Sequence, residues 1–220
     1  MKKTLILLFG FCLQSCSTQT SFDQTKIREQ ITAEETRSIL FTLAHDDMKG
    51  RDTKSGGYYK AANYVTDYFK THAIQPFYPA YRDSLMTDSI GSFNLVGQIG
   101  HYDAKRPTVL IGAHLDHIGM QDNEEDQIFN GANDNAAGST AVLQIARFLA
   151  QHTWNQNILI ALFADEEKGL KGAYHLAERL KKEGVSLEYM INFEMIGTVL
   201  TSGENQVYLT FLRAKTYYLS

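Results

Sequence analysis

The chain has 220 residues, 44% hydrophobic and 21% charged, with a net charge of −4, a balance that suits one globular domain with a sizeable core. A dedicated nucleic-acid surface would show a basic excess, and this chain has none. Both cysteines, Cys12 and Cys16, fall near the N-terminus, so the rest of the chain carries no disulfide, no thiolate metal site and no cysteine nucleophile.

Met1-Lys2-Lys3 is a short basic region, and Thr4 to Leu13 is an apolar stretch of signal-peptide length, too short for a membrane span. It ends at Leu13-Gln14-Ser15-Cys16, which resembles a lipobox, where Cys16 becomes the acylated first residue of an exported bacterial lipoprotein. Gln14 is an unusual occupant of its position, and an ordinary cleaved signal peptide is the alternative. On this reading residues 1–16 are the signal, the lipid on Cys16 anchors the chain to a membrane, and the body is periplasmic or associated with the outer membrane. Residues 17–30 are polar without hydrophobic periodicity and read as a flexible tether. Thr32-Ala33-Glu34-Glu35 is a capping-box pattern ahead of Ile39, Leu40 and Leu43, which predicts a helix from Thr32. Gly50 to Thr53 reads as a loop. Tyr58 to Thr71 has apolar residues at helical spacing.

Strands are expected at Phe93–Ile99, at Thr108–Ala113 behind Pro107, at Asn157–Ala164, and at Tyr189–Phe193 as a third central strand. Helices are expected at Ala136–Ala150 and Gly169–Lys182. Strands alternate with helices, and the strands are continuously apolar instead of two-faced. The expected fold is a three-layer α/β/α sandwich around a central, mostly parallel mixed sheet.

Polar residues cluster just after the ends of these strands, where open α/β sheets place their sites. His114, Asp116 and His117 follow the first apolar strand, Asn133-Asp134-Asn135 precedes a helix, Asp165-Glu166-Glu167 follows the second strand, and Glu194 follows the third. Asp134 alone could cap a helix, and Glu166 with Glu167 alone could be a first turn favoured by the helix dipole. Together they crowd carboxylates that need a positive neighbour, and Lys168 is the sole basic residue adjoining them. A divalent cation is the economical solution. Imidazole with carboxylate oxygens and no thiolate suits zinc, with manganese or cobalt possible. Adjacent residues at a strand end point in different directions, so one glutamate of the pair could hold metal while the other takes a proton.

GAHLDHIG, NGANDNAAGSTAVLQIAR, FADEEKGLKGA and INFEMIG, in that order, resemble the signature blocks of the bacterial leucyl-aminopeptidase and glutaminyl-cyclase family of zinc metallopeptidases. The likeness runs over residues 31–208. It implies two zinc ions, with His114, Asp134 and Glu194 around the first, and Asp134, as bridge, with Glu167 at the second. Asp116 is implied as the carboxylate that orients His114, and Glu166 as the general base. A cis peptide after Asp134 is common in the family, and Glu194 stands where many relatives have Asp. The implied activity is hydrolysis of N-terminal residues from peptides through a metal-activated water. Cyclisation of N-terminal glutamine is the alternative within the family, and a metal-free binding domain the alternative outside it. His117 is read as a loop or supporting residue, not a ligand. His45, His72, His101, His152 and His175 are read as structural or surface residues, Trp154 and the tyrosines as packing, and Arg51 receives no role.

Active relatives supply a further histidine to the second zinc from well downstream, and no histidine follows His175 here. Residues 209–220 do not resemble the family. The expectation is an early stop or frameshift near Thr210, an incomplete second site and an exposed sheet edge prone to aggregation.

Overall fold

The computed structural model describes residues 24–85, 91–121 and 127–199. Cys16 and its leader, the first part of the expected tether, and the tail over 209–220 lie outside the described residues. No helix among the described residues is long and apolar enough to cross a membrane.

The later part of the expected tether is instead a helix, α1 (Gln24–Gln30). It consists largely of straight-chain residues with good helix propensity, and its lack of an apolar stripe hid it from periodicity. Arg147 donates to the Gln30 carbonyl, which ties this helix end to the body. Helix α2 (Ala33–Leu43) starts where the capping pattern predicts, with the Thr32 hydroxyl accepting from the Glu35 amide at 3.2 Å. A short 3-10 segment, Asp46–Arg51, leads to α3 (Gly56–Thr71), whose Tyr58, Ala61, Ala62, Val65 and Phe69 are buried at three- and four-residue spacing.

The sheet is built from β1 (Gln75–Pro76), β2 (Arg82–Ser84), β3 (Phe93–Ile99), β4 (Thr108–His114), β5 (Asn157–Phe163) and β6 (Leu187–Asn192). Helix α4 (Gly138–Ala150) links β4 to β5, and α5 (Lys171–Lys182) links β5 to β6. The strand order is β1-β3-β5-β4-β6, with β2 also paired to β3. β4 runs parallel to β5 and to β6, whereas β3 is antiparallel to β5, β1 and β2. The parallel part of the sheet is therefore the β5-β4-β6 half. β1 and β2, at two and three residues, are too short to show a period in the sequence.

β4 and β5 are buried along their whole length because helices cover both faces. Val109, Ile111, Ile158, Ile160 and Leu162 join the core formed with α2, α3 and α4. The alternate residues Leu110, Leu159, Ala161 and Phe163 pack with Leu176 and Leu180 of α5. This is the expected three-layer sandwich, and each such aliphatic side chain contributes roughly 1.5–3 kcal/mol by leaving water. The third strand departs from expectation. β6 pairs only with β4 among the described residues, and all six of its residues are exposed. Its apolar run shows that it needs cover, but composition does not say where in the sheet a strand lies.

Candidate metal centre

Parallel pairing brings the C-terminal ends of β4, β5 and β6 to one rim of the sheet, with His114 in register with Phe163 and Gly112 with Asn192. The residues that follow each strand therefore share that rim. His114, 2% exposed, ends β4. Its Nδ1 lies 3.0 Å from the Asp116 carbonyl oxygen, to which an Nδ1–H donates, so Nε2 faces outward. Nε2 is 3.1 Å from Asp134 Oδ1 and 3.0 Å from Glu194 Oε1.

Asp134 lies in an irregular turn, Ala132–Ala137, ahead of α4, and the Asp134–Asn135 peptide is cis, as the resemblance implies. Its second oxygen, Oδ2, is 3.8 Å from His117 Nδ1. His117 Nδ1 in turn contacts Glu167 Oε1 at 2.6 Å. The rim thus carries two groups of three ligand-type side chains, His114–Asp134–Glu194 and His117–Asp134–Glu167, each with its ligand atoms within 4.8 Å of one another. His117, read from the sequence as a loop or supporting residue, lies in the second of these groups. Its spacing three residues after His114 carries no helical or strand signal, and its partners, Glu167 and the second carboxylate oxygen of Asp134, come from other segments.

Asp116 is 1% exposed, but its carboxylate is 3.8 Å from His114 Nδ1, and the closer contact to that nitrogen comes from its backbone carbonyl. The carboxylate accepts from the backbone amides of Glu166, at 3.2 Å, and Glu167, at 3.4 Å. Asp116 therefore joins the turn after β4 to the turn after β5, which is more than the expected orientation of His114 alone. Asn135 performs a similar task at the third strand. Its side-chain nitrogen donates to the Phe193 carbonyl at 2.9 Å, and its oxygen accepts from the amides of Gly138 and Met195. A Cβ on Gly138 would lie 2.3 Å from Asn135 Oδ1 and 2.4 Å from the Phe193 oxygen, so this contact needs glycine.

A second cation beside the site, Arg51, is fully buried. Its guanidinium donates to the carbonyls of Leu115, Leu43, Asn130 and Gly131 at 2.7–2.9 Å, and to that of Asp134 at 3.4 Å. Burial lowers its pKa to about 10 against the pull of Asp116, Asp134 and Glu167, and it stays charged at neutral pH. One side chain thus holds the segments that carry Asp134 and His117. Sequence gave it no role because its partners are backbone carbonyls, which have no residue signature.

The carboxylates crowd together, as expected, without being deeply buried. The side chains of Asp134, Glu167 and Glu194 are 33%, 21% and 44% exposed, so mutual proximity more than desolvation calls for a cation. The protonated His114 imidazole answers part of that demand. Burial pulls its pKa down, but its contacts with Asp116 and Glu194 outweigh this and push it up to about 10. Glu166 is half-buried, and burial together with Glu194, Glu167 and Asp116 raises its pKa despite the opposing pull of His114.

The donor set fits zinc. Two ligands of one tetrahedral zinc, each about 2.0–2.1 Å from it, lie roughly 3.3 Å apart. The 3.0 and 3.1 Å separations around His114 Nε2 are close to that, and the 2.6 and 3.8 Å separations around His117 Nδ1 bracket it.

The model of peptidase family M28 matches residues 94–211, more than half of the chain. The chain belongs to peptidase family M28. The matched residues include all the rim residues from His114 to Glu194. A protein of Pyrenophora teres f. teres named "Probable zinc metalloprotease" is 29% identical over 137 residues, which cover 61% of this chain and 26% of that protein. A "Probable leucine aminopeptidase" of Arthroderma otae is 35% identical over 105 residues, covering 45% of this chain and 28% of its own length. Among solved structures, the LapA aminopeptidase of Legionella pneumophila superposes with a TM-score of 0.66 at 21% identity, over 90% of this chain and 53% of that one. The glutaminyl cyclase of Porphyromonas gingivalis gives 0.60 at 18% identity, over 76% and 62%. Both establish the shared fold. The chain spans about a quarter of the length of these two curated relatives.

Proposed function

We propose that the chain carries the metal centre of a zinc aminopeptidase, which hydrolyses N-terminal residues from peptides. The observation that supports this best is Asp134, one oxygen of which faces His114 and Glu194 while the other faces His117 and Glu167. A carboxylate so placed suits a pair of cations, with His114, Asp134 and Glu194 holding one and Asp134 and Glu167 contributing to the other. Bound zinc supplies a Lewis acid for the scissile carbonyl and lowers the pKa of water.

Glu166 is the proton carrier. It adjoins the ligand-type Glu167 after β5. Burial with the neighbouring carboxylates raises its pKa, the direction that strengthens a carboxylate as an acceptor of the water's proton, which it then passes to the leaving amine. Asp116 is a positioning residue, since its carboxylate fixes the backbone of both glutamates. His114 keeps its proton on Nδ1, toward the Asp116 carbonyl, and presents Nε2.

The test is incubation of the zinc-supplemented chain with short peptides, including some that begin with glutamine, followed by mass spectrometry. The expected result is release of free N-terminal residues, abolished by a chelator and lowered about 10²–10⁴-fold in Glu166→Gln. Pyroglutamate formation in place of residue release would assign the chain to the cyclase reaction instead.

We also propose export and acylation of the chain at Cys16, on the strength of the basic, apolar and Leu-Gln-Ser-Cys sequence alone. Mass spectrometry of the membrane fraction should find diacylglyceryl on Cys16, and a soluble product cleaved elsewhere would refute it.

A further inference from the structure

We propose that His117 is a protein ligand of the second metal, through Nδ1, completing a three-ligand site with Asp134 Oδ2 and Glu167 Oε1. This rests on the reading of the rim as a metal centre, and it assigns a ligand that neither the motif resemblance nor the family match supplies. The three atoms converge within 4.8 Å, on an imidazole whose side chain is only 11% exposed. Histidine with two carboxylates is a nitrogen–oxygen donor set of the kind zinc takes, and three protein ligands leave one position open for water or substrate.

The ring is held where it is. The His117 amide lies 3.4 Å from the Arg51 carbonyl, to which it donates. A Cβ on Gly131 would lie 2.5 Å from His117 Cδ2, so the ring rests directly against that glycine. Arg51 Nη2 donates to the Gly131 carbonyl and so fixes the surface behind the ring. A ring fixed in this way, with Nδ1 turned to two carboxylates, is prearranged for a cation.

The competing role is that of a hydrogen-bond partner that merely orients Glu167, and the 2.6 Å contact is compatible with that in the metal-free protein. The two roles separate in magnitude. Loss of a supporting partner costs roughly 10–100-fold in metal affinity, whereas loss of one of three ligands costs more and removes one equivalent of tightly held metal.

The experiment is zinc titration of the full chain, His117→Ala and Glu167→Gln, with bound metal counted after dialysis and folding checked by circular dichroism. The wild-type chain should retain two equivalents and each variant one, with the first-site affinity unchanged and the second weakened by more than about 100-fold. In parallel, 15N NMR of the wild-type chain should show a coordination shift at His117 Nδ1 on the second equivalent, a result that needs no variant to fold. Two equivalents retained by a folded His117→Ala, a wild-type chain that retains only one, or a zinc titration that leaves Nδ1 unshifted would overturn the assignment and leave the first site standing. Retention of no zinc by the wild-type chain would instead remove the metal-centre reading itself.

Discussion

Replacing Arg51 by Met tests whether a single buried cation organises the rim. The side chain keeps much of its volume but loses five donated contacts, four of them at 2.7–2.9 Å and the fifth at 3.4 Å. A buried carbonyl left without a partner costs about 1–3 kcal/mol, so four at the low end come to about 4 kcal/mol. Asn130 and Gly131 are only partly buried, and water reaching their carbonyls should reduce the loss to about 3 kcal/mol. Arg51→Lys offers three donors at most and should fall between the two. Urea unfolding of the metal-free chains at neutral pH would measure this, against a total stability on the order of 5–15 kcal/mol for a domain. A loss below about 1 kcal/mol, or a Lys variant no better than Met, would refute the view that the guanidinium's fan of hydrogen bonds holds these loops.

Gly131→Ala puts a Cβ at a residue with φ of 58°, 2.3 Å from the Asp134 carbonyl oxygen, and should cost about 1–3 kcal/mol while weakening zinc binding with every ligand intact; unchanged calorimetric zinc affinity would contradict it. Because His114 is pushed up to about 10, the metal-free protein is protonated there at pH 7, and filling the first site should release about one proton; calorimetry in two buffers of different ionisation enthalpy reads this, and zero release would be incompatible. Burial opposes ionisation of Asp165, but the Ser92 and Thr53 hydroxyls and Lys168 hold its pKa below the ordinary value. Its contribution to stability is therefore present above the unfolded pKa of about 3.9 and is lost as pH falls through the folded value. Asp165→Asn should be less stable than the parent at pH 7, with a gap that narrows in acid unfolding curves; a gap independent of pH would argue against that network.

Much of this was legible in the sequence, for identifiable reasons. Thr32 announced α2 because capping is local, and β4 and β5 announced themselves because strands covered on both faces leave no polar alternation. The rim residues were legible because parallel strands end on one side, so whatever follows each strand must meet there. β1 and β2 were too short to leave a pattern, and the place of β6 beside β4 alone among the described residues is a matter of pairing, which composition does not encode. Arg51 received no role because its partners are distant in sequence and are peptide carbonyls, and the pairing of His117 with Asp134 and Glu167 likewise joins residues far apart in the chain. Asp116 was recognised as a carboxylate of the site, yet its hold on the Glu166 and Glu167 amides emerged only from the fold.

X-ray absorption at the zinc edge of the zinc-loaded chain tests the metal centre most directly. The proposed ligands His114, Asp134, Glu194, Glu167 and His117 predict a shell of nitrogen and oxygen only, at about 2.0–2.2 Å, with the outer scattering of imidazole. A sulfur shell at about 2.3 Å, or a spectrum without imidazole scattering, would contradict it.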